Sequence, residues 1–178
     1  MLTRRSLMGS ATALALLMGI AAPAFADPDA ALAKLQETVL SKGPSGEDPS
    51  PASDVVLSDE ELAKIKEMGA TAAIVMHYGG NDWSQAPING LPTQFAAMGI
   101  EVIAVTDAGF KPEKQVSDLD TIMAQSPDII VSIPTDPTAT AAAYRAAHEA
   151  GAKLVFMDNV PTGFVPGTDY VSVVSADN

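Results

Sequence analysis

The chain has 178 residues, no cysteine, 47% apolar residues, and 22 acidic against 10 basic side chains, for a formal net charge of −12. That length suits one domain with a real core and excludes two ordinary ones. The missing cysteine excludes disulfides, thiolate chemistry and a lipid-bearing cysteine, while the acidic balance excludes nucleic acid and anionic lipid as partners.

Residues 1–26 read as an export leader. Arg4 and Arg5 form its charged start, Ala11 to Ala22 is an apolar run short for a membrane span, and Ala24-Phe25-Ala26 is a small-x-small cleavage site. Cleavage after Ala26 makes Asp27 the mature start and leaves 152 of the 178 residues. The leader removes two basic residues and no acidic one, so 8 stand against 22 and the net charge becomes −14. Thr3 to Met8 also resembles a twin-arginine signal, so Sec and twin-arginine routes both fit a periplasmic protein.

Residues 27–56 form an extension and linker. A short helix is expected over Ala30 to Leu40, followed by KGPSGEDPSPAS, which cannot bury a core. Ser58 and Glu61 make a capping box for a helix ending near Met68, where Gly69 stops it. The lobe proper spans residues 57–178.

From Thr71 onward strand and helix alternate. Apolar runs at Ala72 to Met76, Val102 to Val105, Ile129 to Val131, Leu154 to Met157 and Val171 to Val174 start 30, 27, 25 and 17 residues apart. The first three gaps suit βαβ units with helices over Ser84 to Met98, Pro112 to Gln125 and Thr138 to Ala150, and Pro92 should bend or interrupt the first. The fourth gap, DNVPTGFVPGTD, is too rich in Pro and Gly for a helix and is read as a loop. The fold class is α/β, an open parallel sheet of about five strands with helices on both faces.

Strand ends in such a sheet line the crevice where ligands bind. Strand one opens into His77, Tyr78, Gly79, Gly80, Asn81, Asp82 and Trp83, strand two into Asp107 and Phe110, strand three into Thr135 and Asp136, and strand four into Asp158 and Asn159. Asp136 is expected at a helix N-cap with Pro137 at the first helical position. Carboxylates and amides bind hydroxyls, and aromatic rings offer apolar faces to the C–H side of a sugar, so this edge reads as a carbohydrate site. Each residue also has a plainer role: Asp136, Asn81 or Asp82 as caps, Trp83 as core packing, Asp107 as a turn residue, Phe110 as a loop anchor. The conjunction at one edge outweighs any one of them.

Gly79-Gly80-Asn81-Asp82 lacks a phosphate-binding fingerprint and sets a carboxylate at the helix start, and no Lys or Arg stands in these strand-end stretches to meet a phosphoryl group. His77 and His148 are the only histidines, and His148 falls on a helix surface, so neither a zinc site nor another cofactor is expected. Asp118 and Asp120 read as a solvated helix face.

From about Thr71 to the end, in MGIEVIAVTDAGFKPEKQVSDLDTIMAQSPDIIVSIPTDPTATAAAYRAAHEAGAKLVFMDNVP and the closing VVSADN, the chain resembles the type I periplasmic sugar-binding proteins, ribose-binding-like subunits of ABC transporters. LacI-type repressor cores share this pattern, and the export leader weighs against a repressor. The resemblance implies strand order 2-1-3-4-5 and ligand contacts from Tyr78, Asn81, Asp82, Trp83, Asp107, Asp136, and Asp158 or Asn159, to which the aromatic reading of the strand ends adds Phe110. It further implies a monomer that delivers a sugar or polyol to an ABC transporter permease without covalent chemistry. A flavodoxin-like enzyme and a sensor partner of a chemoreceptor are the competing classes. The family has two lobes, and the sequence ends about where its first crossing begins, so a truncated N-terminal lobe is expected, with a genuine one-lobe protein as the alternative.

Overall fold

The computed structural model describes residues 27–36 and 42–175. The export leader, the end of the helix expected over Ala30 to Leu40, and the closing residues 176–178 lie outside these. Five strands, β1 (Thr71–Met76), β2 (Glu101–Asp107), β3 (Ile129–Ser132), β4 (Lys153–Met157) and β5 (Ser172–Val174), form one sheet in the order β2-β1-β3-β4-β5. That order is the one the resemblance implies, and every neighbouring pair is parallel, as the spacing predicts. The helices are α1 (Pro28–Gln36), α2 (Asp59–Met68), α3 (Asp82–Ala97), α4 (Pro112–Met123) and α5 (Ala141–Glu149).

A central parallel strand is buried on both faces, which is why β1 reads as an unbroken apolar run; residues 72–76 are fully buried. Side chains alternate across the sheet. Ala73 and Val75 join Ile130, Leu154 and Phe156 under Leu119 and Ile122 of α4 and Tyr144 and Ala147 of α5. Ala72, Ile74 and Met76 join Val131 and Ile133 under Phe95 of α3. Helices therefore cover both faces.

The crossover from β4 to β5 is the expected loop. It covers the sheet with rings instead of a helix: Phe156 meets Phe164 at 6.0 Å and Tyr170 at 5.7 Å, both edge-on. Arg145 lies 4.6 Å over the Phe164 ring and pairs with Asp169 at 3.1 Å, tying the loop to α5.

Two expectations need correction. Of the bend or interruption expected at Pro92, the interruption does not occur: α3 runs through Pro87 and Pro92, and it begins at Asp82, ahead of Ser84. Each proline removes one ladder hydrogen bond, but Ile88, Leu91 and Phe95 pack one side of this helix against the sheet, and that packing holds it. α5 begins at Ala141, so Asp136 is not its N-cap and Pro137 is not its first residue. Thr162 donates its backbone N–H to the Pro137 carbonyl at 2.9 Å, which a helix starting there would need for its own ladder. Residues 136–140 consequently form a turn that leads into α5.

The capping box of α2 is present. Ser58 Oγ accepts from the Glu61 N–H, Glu61 accepts from the Ser58 N–H at 2.8 Å, and Gly69 ends the helix at φ 59°. That last conformation favours glycine. Bonding from Ser58 holds the Glu61 carboxyl below its ordinary range. Ser58→Ala is expected to weaken α2 by about 1 kcal/mol, measured as faster amide exchange in its first two turns. Unchanged exchange would refute that role.

Candidate functional site

The carboxyl edge is built by four strand exits. Leaving β1, the chain passes His77 and Tyr78 and reaches Asn81, whose side chain caps α3 by accepting from the Ser84 N–H at 2.8 Å. The plainer role suits Asn81, with its amide oxygen engaged by the helix. Asp82 follows on the first turn, exposed, where a negative charge is favoured. Trp83 projects from the same turn and is 59% exposed, so it is not core packing.

β2 ends on Asp107, whose Oδ1 accepts from the Gly109 N–H at 2.8 Å. Its Oδ2 lies so near Gly79 that a Cβ there would approach to 3.0 Å. Gly109 and Phe110 are both left-handed, at φ 60° and 59°. That turn carries the Phe110 ring back over β1, where it stacks on Tyr78 at 4.5 Å and 17° and meets His77 at 5.1 Å and 75°. Trp83 meets the other side of the cluster, 6.2 Å from His77 at 80°. A left-handed non-glycine residue is strained, and Phe110 remains 58% exposed despite its ring contacts. Gly80 makes room for the Tyr78 ring, since a Cβ there would collide with it.

Asp158, at the exit of β4, is the third left-handed residue of this edge, at φ 67°, with its N–H bonded to the Val174 carbonyl at 2.8 Å. Asp158 and Asp107 both bear electrostatically on His77. Burial nonetheless pushes the imidazole below its ordinary range, with the two carboxylates partly offsetting that effect. The unfolded chain thus takes up this proton at higher pH than the folded one. Stability from neutral His77 is complete above 6.5 and is lost as pH falls through its lowered folded value.

The corner after β3 is a second cluster on the same edge. Asp136 Oδ1 accepts from the N–H groups of Thr138 at 2.8 Å and Ala139 at 2.7 Å, so one oxygen holds the turn while the residue stays exposed. Thr138 meets Thr162 hydroxyl to hydroxyl at 3.0 Å. Asn159 donates to the Pro134 carbonyl at 3.3 Å and joins the exits of β3 and β4, with its Oδ1 buried and unpartnered among the described residues. Tyr78, Trp83, Phe110, Asp107 and Asp158 therefore gather around His77, while Asp136 and Asn159 occupy the adjacent corner. Asn81 and Asp82 stand at the start of α3.

Two residues of this edge were not singled out from sequence for these roles. In sequence His77 stands out only as a possible metal ligand, and no group of His, Asp and Glu suited to a metal occurs among the described residues. Gln115 of α4 is fully buried, donating to the Ile133 carbonyl at 2.8 Å and accepting from the Thr135 N–H at 2.7 Å. It clamps the backbone that presents Asp136. The available signal was a lone amide among the apolar positions of an amphipathic helix.

Recesses of about 410 Å³ and about 240 Å³ lie elsewhere, along the amino ends of the strands. The larger is lined mainly by apolar residues, and its Asp128 is engaged with the N–H and hydroxyl of Thr71. Among the described residues, exposed rings and carboxylates converge instead at the carboxyl edge.

Residues 72–178 match the family described as periplasmic binding protein domain. No curated protein matches the chain. Among solved structures, a solute-binding protein of an ABC transporter from Agrobacterium vitis, bound with α-D-tagatopyranose, is 27% identical with a TM-score of 0.55, over 61% of this chain and 39% of its own. The Caulobacter myo-inositol binding protein, bound to myo-inositol, is 25% identical with a TM-score of 0.53, over 61% and 36%. A periplasmic ribose ABC transporter protein from Conexibacter woesei shares the fold at 18% identity and a TM-score of 0.53, over 61% and 35%. This chain thus spans well under half the length of these relatives. With more than half of its residues matched by the family, the chain belongs to the periplasmic binding protein domain family.

Proposed function

We propose that the carboxyl edge captures a sugar or polyol and that the protein delivers it to an ABC transporter permease in the periplasm, without catalysing a reaction. The observation that carries this reading is the convergence of exposed ring faces, Trp83 and Phe110, with the carboxylates of Asp107, Asp158 and Asp136 on one edge. Rings bind the C–H face of a sugar and carboxylates its hydroxyls, the two chemistries a polyol presents side by side. The relatives bound to tagatose and myo-inositol support the class of ligand. Contacts are proposed from Tyr78, Asp82, Trp83, Asp107, Phe110, Asp136, Asp158 and Asn159, with Asn81 contributing only the amide nitrogen that its cap leaves over.

The test is a titration of pentoses, hexoses and polyols followed through Trp83, the single tryptophan. Saturable change with at least one of them is expected. No response to any, or turnover of any, would refute a capture role.

Export through a leader spanning residues 1–26 is part of the same proposal. Protein recovered from the periplasm is expected to begin at Asp27, by N-terminal sequencing. Soluble cytoplasmic protein retaining Met1 in its native host would overturn the localisation.

A further inference from the structure

We propose that His77 is the positioning residue of the ring platform: its neutral imidazole holds Trp83 and Phe110 in place, and proton uptake by that imidazole releases the arrangement and, with it, the ligand. The ligand half of this proposal rests on reading the edge as a sugar site.

Among the described residues His77 is the one ring that touches both exposed platforms, Trp83 at 6.2 Å and Phe110 at 5.1 Å, each edge-on. Its backbone carbonyl accepts from the Phe110 N–H at 2.8 Å, so His77 fixes both the left-handed backbone and the ring of Phe110. Tyr78 stacks on Phe110 but makes no ring contact with Trp83. Without the imidazole, the Trp83 and Phe110 faces have no common support.

The proton link follows from the same geometry. His77 Nδ1 is buried and has no hydrogen-bond partner among the described residues. A neutral imidazole tolerates this with the proton on Nε2, whereas the imidazolium carries N–H groups on both nitrogens and needs two acceptors. The charged groups that bear on the ring are Asp107 from the end of β2 and Asp158 from the end of β4. Protonation thus draws the imidazole toward those carboxylates and away from its two edge contacts. Burial keeps the ring neutral at physiological pH, and a ligand lying over the rings buries it further. The liganded protein then holds the proton less tightly than the free one. Affinity is complete above the lowered His77 value of the free protein and falls as pH drops through it, by about tenfold for each pKa unit the ligand displaces.

The experiment uses the full chain and its single tryptophan. Trp83 emission is expected to titrate with a midpoint below 6.5, to lose that titration in His77→Phe and to keep it in His148→Gln. His77→Phe retains a ring to pack on, so its near-ultraviolet circular dichroism should persist without pH dependence, while His77→Ala loses the signal as well. A titration that survives in His77→Phe overturns the proton link, and an unaltered spectrum in His77→Ala overturns the positioning role. A sugar that binds equally well at about pH 7.5 and at a pH below the Trp83 emission midpoint also overturns the link. No sugar response at either pH refutes the sugar site instead, and the two histidine variants still judge His77.

Discussion

Gln115→Leu is expected to destabilise the protein by about 2–4 kcal/mol, because it leaves two main-chain groups at the β3 exit without partners. Gln115 is fully buried, and its amide serves the Ile133 carbonyl and the Thr135 N–H at once. Leucine fills much of the space and returns some apolar burial, but it can neither donate to the carbonyl nor accept from the N–H. Ile133 is buried and Thr135 half-buried, so water reaches the Thr135 N–H more readily, which places the loss nearer the lower figure. Gln115→Glu keeps an acceptor for Thr135 and loses the donor for Ile133, and should show an additional penalty from burying a charge. Denaturant unfolding measures both. A loss below about 1 kcal/mol for Gln115→Leu would show that water replaces the clamp.

That buried amide also marks where the sequence stops being legible. The five strands and the paths of α3 and α4 follow from apolar runs and spacing, and β1 is the plainest of them, because a parallel strand buried on two faces has almost no alternative composition. The order of the strands came from the family resemblance, since local pattern carries no information about which neighbours pair. Asp136 and Pro137 carry the local signals of a helix start, and a turn does form there. What keeps it from being the first turn of α5 is the Thr162 N–H on the Pro137 carbonyl, a contact from 25 residues away in sequence. Phe110 and His77 show the same limit. The residue types at the strand ends suggested a site, but their assembly around one imidazole depends on the left-handed Gly109-Phe110 turn, which no period or cap announces.

Asp136→Ala and Asp107→Ala should each abolish saturable sugar binding by this chain. With Trp83 and Phe110 exposed, the chain is expected to cover at most one face of a sugar with millimolar affinity, about 4 kcal/mol of binding free energy. A charge-assisted hydrogen bond contributes about 1.5–3 kcal/mol, so losing one leaves about 1–2.5 kcal/mol and moves the dissociation constant to tens or hundreds of millimolar. Alanine at position 136 also removes the oxygen that holds the Thr138 and Ala139 N–H groups, and at position 107 the one that holds the Gly109 N–H, so each variant disturbs its own turn. Asparagine separates the two effects. Asp136→Asn and Asp107→Asn keep an acceptor for the turn and lose the charge, so they should fold like the parent and still bind about tenfold more weakly. Titration of Trp83 emission or of amide chemical shifts with the sugar that gives the largest parental response reads all four variants. Parental affinity in both asparagine variants would remove these carboxylates from the site, and micromolar binding by the parent would mean that this edge already encloses the sugar on both faces.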